Sequence, residues 1–111
     1  MALEVETRSA DNGITVVAPT GRLDVAGAPA LKEAISEVVK NGPPRIVIDM
    51  EGVSFVDSTV LGVLVEARSR VTDKSTFVLA APGKETRRVL DLSGLDKHFV
   101  VRDTVEQALG S

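Results

Sequence analysis

Hydrophobic and polar residues alternate at the very start of the chain. Residues 3–6 alternate between apolar and acidic side chains, which predicts a half-buried strand. The Asp-Asn-Gly sequence at residues 11–13 is a strong turn signal, and residues 14–17 form a new extended run, so the two segments predict a β-hairpin. We expect the Pro-Thr-Gly sequence at residues 19–21 to break this hairpin, and residues 21–24 to begin a short connection.

Further along the chain, segments with helical spacing alternate with short continuous apolar runs. Apolar residues three and four positions apart predict helices over residues 28–40, 58–72, 84–92 and, more briefly, 104–109. Continuous apolar runs predict strands, covered on both faces, over residues 45–50, 75–80 and 99–101. This order predicts one α/β domain over residues 1–111. We expect a mainly parallel central sheet with an N-terminal antiparallel strand, packed with about four helices.

The helix predicted to start at Ser58 has one apolar face and one polar face. At about 100° per residue, an apolar stripe forms from Val60, Leu64, Ala67 and Val71, while the opposite arc holds Ser58, Thr59, Gly62, Glu66, Ser69 and Arg70. Gly62 lies near the middle of the exposed arc, where a glycine costs about 0.5–1 kcal/mol relative to alanine. Approach by a partner, close packing against a neighbouring loop, and chance tolerance are three explanations that the pattern leaves open.

Composition and charge argue against several classes of function. The net charge is −3 at pH 7, whereas a nucleic-acid or anionic-membrane surface needs a basic footprint. Three aromatic residues are too few for a base-stacking surface, and the absence of cysteine removes disulfides, thiol catalysis and thiolate metal sites. No apolar run approaches the roughly 18 residues of a membrane-spanning helix, and the first residues do not resemble a signal peptide. We expect a soluble, cytoplasmic protein with no nucleic-acid or membrane partner.

Ser58 allows three interpretations. It could act only as the N-cap of its helix, because serine is among the preferred cap residues. It is a poor candidate for a hydrolytic nucleophile, since no Gly-x-Ser-x-Gly elbow is present and the only histidine is His98. It could also be phosphorylated, because the positive end of a helix dipole accepts a phosphate, which would add about −1.5 to −2 charge beside Asp57.

Other candidate chemistry is weak. The carboxylates of Asp49, Glu51 and Asp57 lack the spacing of a metal-binding loop, so we expect no metal, no cofactor and no catalytic residue. Residues 51–57 are expected to form a loop at the carboxyl edge of the sheet, where ligands and partners of such folds bind. Asp24 is either a turn or cap residue or a surface contact.

Several segments together resemble those of the anti-sigma factor antagonists, small bacterial proteins made of one STAS domain. The resemblance extends over nearly the whole chain and includes four segments: Gly-Arg-Leu-Asp at 21–24, Ile-Val-Ile-Asp at 46–49, Val-Ser-Phe-Val-Asp-Ser-Thr-Val-Leu-Gly at 53–62, and Leu-Ser-Gly-Leu at 92–95. The segment around Ser58 is the most specific of them. The resemblance implies that the unphosphorylated protein binds an anti-sigma factor that is also a serine kinase, that phosphorylation of Ser58 ends binding, and that a phosphatase reverses it. The implied partner-binding residues are Asp24, Asp57, Ser58, Thr59, Leu61 and Gly62.

One departure from the family pattern concerns the residues after Ser58. Many members have Ser-Ser-Gly where this chain has Ser58-Thr59-Val60. Thr59 keeps a hydroxyl that could be a second phosphorylation site, and we expect Val60 to point into the core. Single STAS domains also serve as accessory subunits of lipid-transport ATPases or of stress-signalling assemblies, which is the alternative function that the resemblance implies. A third interpretation, binding of a small ligand at the strand ends, rests on fold analogy.

Overall fold

A computed structural model describes residues 4–110 as an α/β fold with a six-stranded sheet. The strands are β1 Glu4–Ser9, β2 Thr15–Leu23, β3 Ile46–Asp49, β4 Val53–Val56, β5 Phe77–Ala80 and β6 Val100–Arg102. The helices are α1 Ala28–Asn41, α2 Ser58–Ser69, α3 Lys84–Ser93 and α4 Val105–Gly110. The predicted hairpin is confirmed for the described residues, and Leu3 lies outside them.

The topology confirms the predicted fold class. Neighbouring strands follow the order β1-β2-β3-β5-β6, and β4 pairs with β2. The β1–β2 pair is antiparallel, whereas β2–β3, β2–β4, β3–β5 and β5–β6 are parallel. The parallel pairs require crossovers that lie over the sheet, and the helices supply them.

Strand β2 is longer than the sequence predicts, because Pro19 does not break it. Residues 15–17 pair with β3, and residues 21–23 pair with β4. Pro19 falls between these two stretches, where no parallel neighbour requires the N–H that proline lacks. Gly21 has φ +106° at an irregularity in the β2–β4 register, a conformation that glycine adopts without strain. The predicted connection at residues 21–24 is therefore corrected, since Gly21 to Leu23 belong to the strand.

The second correction concerns residues 51–57, which contain β4 rather than a continuous loop. Val53 and Val56 are buried, whereas the two residues between them are exposed. This pattern has neither the alternation of a half-covered strand nor the continuous apolar run of a fully buried one. Pairing with β2 therefore determines this short strand, and the local sequence alone does not indicate it.

Two hydrophobic clusters cover the sheet on opposite faces. The larger cluster packs α1, α2 and α3 against one face, and its fully buried members include Leu31, Leu64 and Phe77. The smaller cluster packs α4 against Val16, Val47 and Val78 on the other face. Helix α2 ends at Ser69, three residues before the predicted end, although Val71 still packs against the larger cluster.

The buried position of Val60 generates a stability prediction. Its side chain is 0% exposed, as expected from the helical wheel. Replacement by alanine removes two buried carbon atoms and leaves a cavity, so Val60→Ala should lower the free energy of unfolding by about 2 kcal/mol. Urea unfolding followed by circular dichroism measures this change.

A matched control for Val60 is Val25, a valine that is 66% exposed. Val25→Ala should change the free energy of unfolding by less than about 0.5 kcal/mol. Equal effects of the two substitutions would contradict the packing described here.

Candidate functional site

The pairing of β2 with β4 brings Asp24 and Asp57 to neighbouring positions. The backbone N–H of Asp57 donates to the Leu23 carbonyl at 3.1 Å, so the two chain segments leave the sheet side by side. The Asp24 carbonyl then accepts from the N–H groups of Gly27 and Ala28, and its carboxylate accepts from Ala26 at 3.1 Å. Asp24 therefore organises the turn into α1 beside Asp57, the residue that precedes α2.

Asp57, and not Ser58, is the N-cap of α2, which corrects the sequence-based interpretation. Its carboxylate Oδ1 accepts from the Val60 N–H at 3.1 Å, and its carbonyl accepts from the Leu61 N–H at 3.2 Å. The backbone of Asp57 is extended, with φ −104° and ψ 175°, as cap residues generally are. Both aspartate and serine are good N-cap residues. Because β4 ends at Val56, the next residue, Asp57, occupies the cap position.

Ser58 is consequently the first residue of α2, and its hydroxyl has no structural role. The side chain is exposed and makes no hydrogen bond to any residue from 4 to 110. The backbone N–H groups of Ser58 and Thr59 also lack partners in this part of the chain. The helix thus begins with an accessible hydroxyl beside two unpaired donors, and Thr59 is likewise exposed.

The following residues divide between the core and the surface. Leu61 is only 5% exposed, so most of its side chain packs into the core, and its role as a partner contact stays a prediction. Gly62 is exposed, and a Cβ atom built on it would meet no atom of residues 4–110 within 4 Å. Close packing against this part of the chain therefore does not explain the glycine. We call Asp24, Asp57, Ser58, Thr59 and Gly62 together the Ser58 surface.

A cluster that the sequence does not indicate lies at the border of the Ser58 surface. The Arg22 guanidinium carbon lies 4.3 Å from the centre of the Phe55 ring, and Arg22 Nε lies 3.8 Å from Asp24 Oδ2. The contact arises because Arg22 and Phe55 are directly opposite each other in the β2–β4 register. An Arg-x-Asp sequence and a rare aromatic residue were visible, but only the register joins them.

His98, the only histidine of the chain, is not placed to act as a general base for Ser58. His98 Nε2 lies 3.3 Å from Arg68 Nη1, near the other end of α2, and its ring contacts Phe99 edge-on. Arg68 follows Ser58 by ten positions in α2, which corresponds to about 15 Å along the helix axis. No group of three or more His, Cys, Asp or Glu residues within 4–110 is arranged to hold a metal ion.

Comparison with known proteins identifies the fold family. The family model described as the STAS domain matches residues 5–108. This chain belongs to the STAS domain family. In the part that the structure describes, this STAS domain has no helix that is long and apolar enough to cross a membrane.

Relatives of this STAS domain include proteins named as anti-sigma factor antagonists. It is 39% identical over 98 residues to the anti-sigma-F factor antagonist RsfB of Mycobacterium tuberculosis, covering 88% of this chain and 80% of that protein. It is 30% identical over 108 residues to the anti-sigma-B factor antagonist of Staphylococcus aureus, covering 96% and 98% of the two chains. A crystal structure of an anti-sigma factor antagonist from Mycobacterium paratuberculosis matches with a TM-score of 0.92 at 36% identity, covering 98% and 92%.

The cap assignment gives a prediction that separates the roles of Asp57 and Ser58. Asp57→Ala should lower the free energy of unfolding by about 1 kcal/mol, because the Val60 N–H loses its acceptor. Ser58→Ala should change it by less than about 0.5 kcal/mol. Chemical denaturation of both variants measures the difference, and a larger loss in Ser58→Ala than in Asp57→Ala would restore Ser58 as the cap.

Proposed function

We propose that this STAS domain is an anti-sigma factor antagonist whose binding is switched by phosphorylation of Ser58. In its unmodified form it binds an anti-sigma factor that is also a serine kinase, and thereby releases the sigma factor. The observation that chiefly supports this proposal is the exposed, unbonded hydroxyl of Ser58 on a helix start that Asp57 already caps. The names of the relatives at 39% and 30% identity support the antagonist role.

The start of α2 suits a phosphate on Ser58. The N–H groups of Ser58 and Thr59 have no other acceptor among residues 4–110, and the helix dipole places partial positive charge there. Because Asp57 holds the Val60 N–H, the helix does not depend on the serine hydroxyl that would be esterified. The modified protein should therefore stay folded.

The proposed reaction is a phosphoryl transfer that the partner catalyses. The bond between the γ-phosphorus of ATP and its bridging oxygen breaks, a bond forms between that phosphorus and Ser58 Oγ, and the hydroxyl proton passes to a base of the kinase. The STAS domain is the substrate and supplies no catalytic residue. This role requires access to ATP and to a sigma factor, so we place the protein in the cytoplasm.

Electrostatic repulsion explains why the phosphorylated protein would dissociate from the kinase. The new phosphate adds about −1.5 to −2 charge, next to the carboxylates of Asp57 and Asp24. It would also face the phosphates of the ADP that remains in the kinase site. Like charges in a desolvated interface are strongly unfavourable, so the complex should dissociate until a phosphatase removes the phosphate.

Phosphate transfer to Ser58 is the first functional prediction. Anti-sigma factor kinases of the source organism, purified and incubated with this protein and Mg-ATP, should include one that adds a phosphate to Ser58. Peptide mass spectrometry locates the phosphate, and Ser58→Ala with Thr59 intact is the control. No transfer by any of these kinases, or transfer to Thr59 alone, would contradict the proposal.

The second functional prediction concerns affinity. Ser58→Asp places a permanent negative charge at the modified position and should weaken binding to that kinase by about 100-fold, or roughly 3 kcal/mol. Its thermal stability should barely change, because an acidic residue is favourable in the first turn of a helix. Isothermal titration calorimetry measures the affinity.

A matched control for Ser58→Asp is Ser9→Asp, which adds the same charge elsewhere. Ser9 is exposed and pairs with Thr15 at the start of β2, the opposite end of the strand from Asp24. Ser9→Asp should bind like the unmodified protein. If Ser58→Asp also binds with unchanged affinity, phosphorylation at this position is not the switch.

A further inference from the structure

We propose that Arg22, Val25 and Phe55 form an anchor that determines which kinase docks on the Ser58 surface. The partner would fill this anchor with an apolar side chain and place a carboxylate against Arg22. This inference rests on the proposed function for the identity of the partner, and it adds the chemistry that the partner must present. We refer to the three residues as the Phe55 anchor.

Exposed apolar area is the first observation behind the anchor. Among residues 4–110, three large hydrophobic side chains are exposed: Val25 at 66%, Phe55 at 36% and Leu92 at 79%. Val25 directly follows Asp24, and Phe55 lies two residues before Asp57, so two of the three border the Ser58 surface. The other two aromatic residues of the chain, Phe77 and Phe99, are buried, which makes the surface position of Phe55 an exception within this chain.

The orientation and the exposure of the Arg22 side chain are the second observation behind the anchor. One face of its guanidinium covers the Phe55 ring at 4.3 Å, and its Nε is directed toward Asp24 at 3.8 Å. The side chain of Arg22 is 62% exposed and makes no hydrogen bond to another described residue. Stacking and the ion pair orient the planar group, and its remaining N–H donors match the two oxygens of a carboxylate.

The arrangement of charges indicates how a partner would be oriented. Positive charge lies at Arg22, whereas negative charge lies at Asp24 and Asp57. A partner with a carboxylate opposite Arg22 and cationic groups opposite the two aspartates would match this pattern in one orientation only. That orientation places Ser58 at a fixed position in the interface. Aromatic and arginine side chains also supply most of the binding energy in many interfaces, which suits Phe55 and Arg22 to this role.

Affinity measurements on the kinase that phosphorylates Ser58 test the anchor. Phe55→Ala should weaken binding by about tenfold or more. Arg22→Gln should weaken it less and reduce its dependence on salt concentration, since one ion pair across the interface is lost. Arg22→Lys keeps the charge but loses the planar stacking group, so it should not restore full affinity.

Leu92→Ser is the matched control, because it also changes an exposed apolar residue. Helix α3 connects the carboxyl end of β5 to the amino end of the parallel strand β6. Its last turn, with Leu92, therefore lies toward the amino ends of the strands, whereas the Ser58 surface lies at the carboxyl ends. Leu92→Ser should leave the affinity within about twofold of the unmodified protein. If Leu92→Ser lowers the affinity as much as Phe55→Ala does, the effect is not specific to the Phe55 anchor. That result would overturn the anchor.

A second measurement uses the unmodified protein and does not depend on how well the variants fold. The chain contains three phenylalanines and no tryptophan or tyrosine. The ring signals of Phe55, Phe77 and Phe99 can therefore be followed in an aromatic NMR spectrum. Binding of the kinase should shift and broaden the Phe55 signals far more than those of buried Phe77. Unchanged Phe55 signals in the complex would overturn the anchor.

The outcomes separate this inference from the proposed function. If the unmodified protein binds no kinase, the proposed function fails and the anchor fails with it. If the protein binds and is released on phosphorylation, while Phe55→Ala and Arg22→Gln bind with unchanged affinity, only the anchor is wrong.

Discussion

The pairing between the second half of β2 and the short strand β4 determines where the proposed functional residues of this STAS domain lie. The hydrogen bond from the Asp57 N–H to the Leu23 carbonyl, 3.1 Å long, joins the ends of the two strands. Asp24 then turns the chain into α1, and Asp57 caps α2, so both helices start side by side at the ends of β2 and β4. The same pairing sets Arg22 opposite Phe55. The Ser58 surface and the residues that border it thus arise from a single contact between strands.

At the start of α2, the side chains that stabilise the helix differ from the one that is available for chemistry. The Asp57 carboxylate satisfies the helix start, while Val60 and Leu61 bury the inner side of the first turn. The hydroxyl of Ser58 therefore contributes little to folding and is available for chemistry. This separation explains how a group could gain a doubly charged phosphate without a large cost to stability. The side chain of Val60 is fully buried, so it lies on the core side of this first turn.

The sequence predicts most of the fold, because long periodic segments such as α1 and α3 indicate their own structure. It does not predict β4, whose buried and exposed residues follow no regular period, nor the passage of β2 through Pro19. Both features depend on which strands are neighbours in the sheet. The sequence of the segment itself does not contain this information. The position of Ser58 at a helix start was predictable, but the choice of Asp57 as the cap was not. The contact between Arg22 and Phe55 could be found only from the register.

A phosphate at Ser58 is proposed to change what the protein binds and to leave its fold intact. Amide NMR spectra of the unmodified protein and of the Ser58-phosphorylated protein test it directly. We expect chemical-shift changes confined to the ends of β2 and β4 and the first turns of α1 and α2, with amide exchange protection in the sheet unchanged. Shift changes spread through β3 and β5, or a loss of protection there, would contradict it.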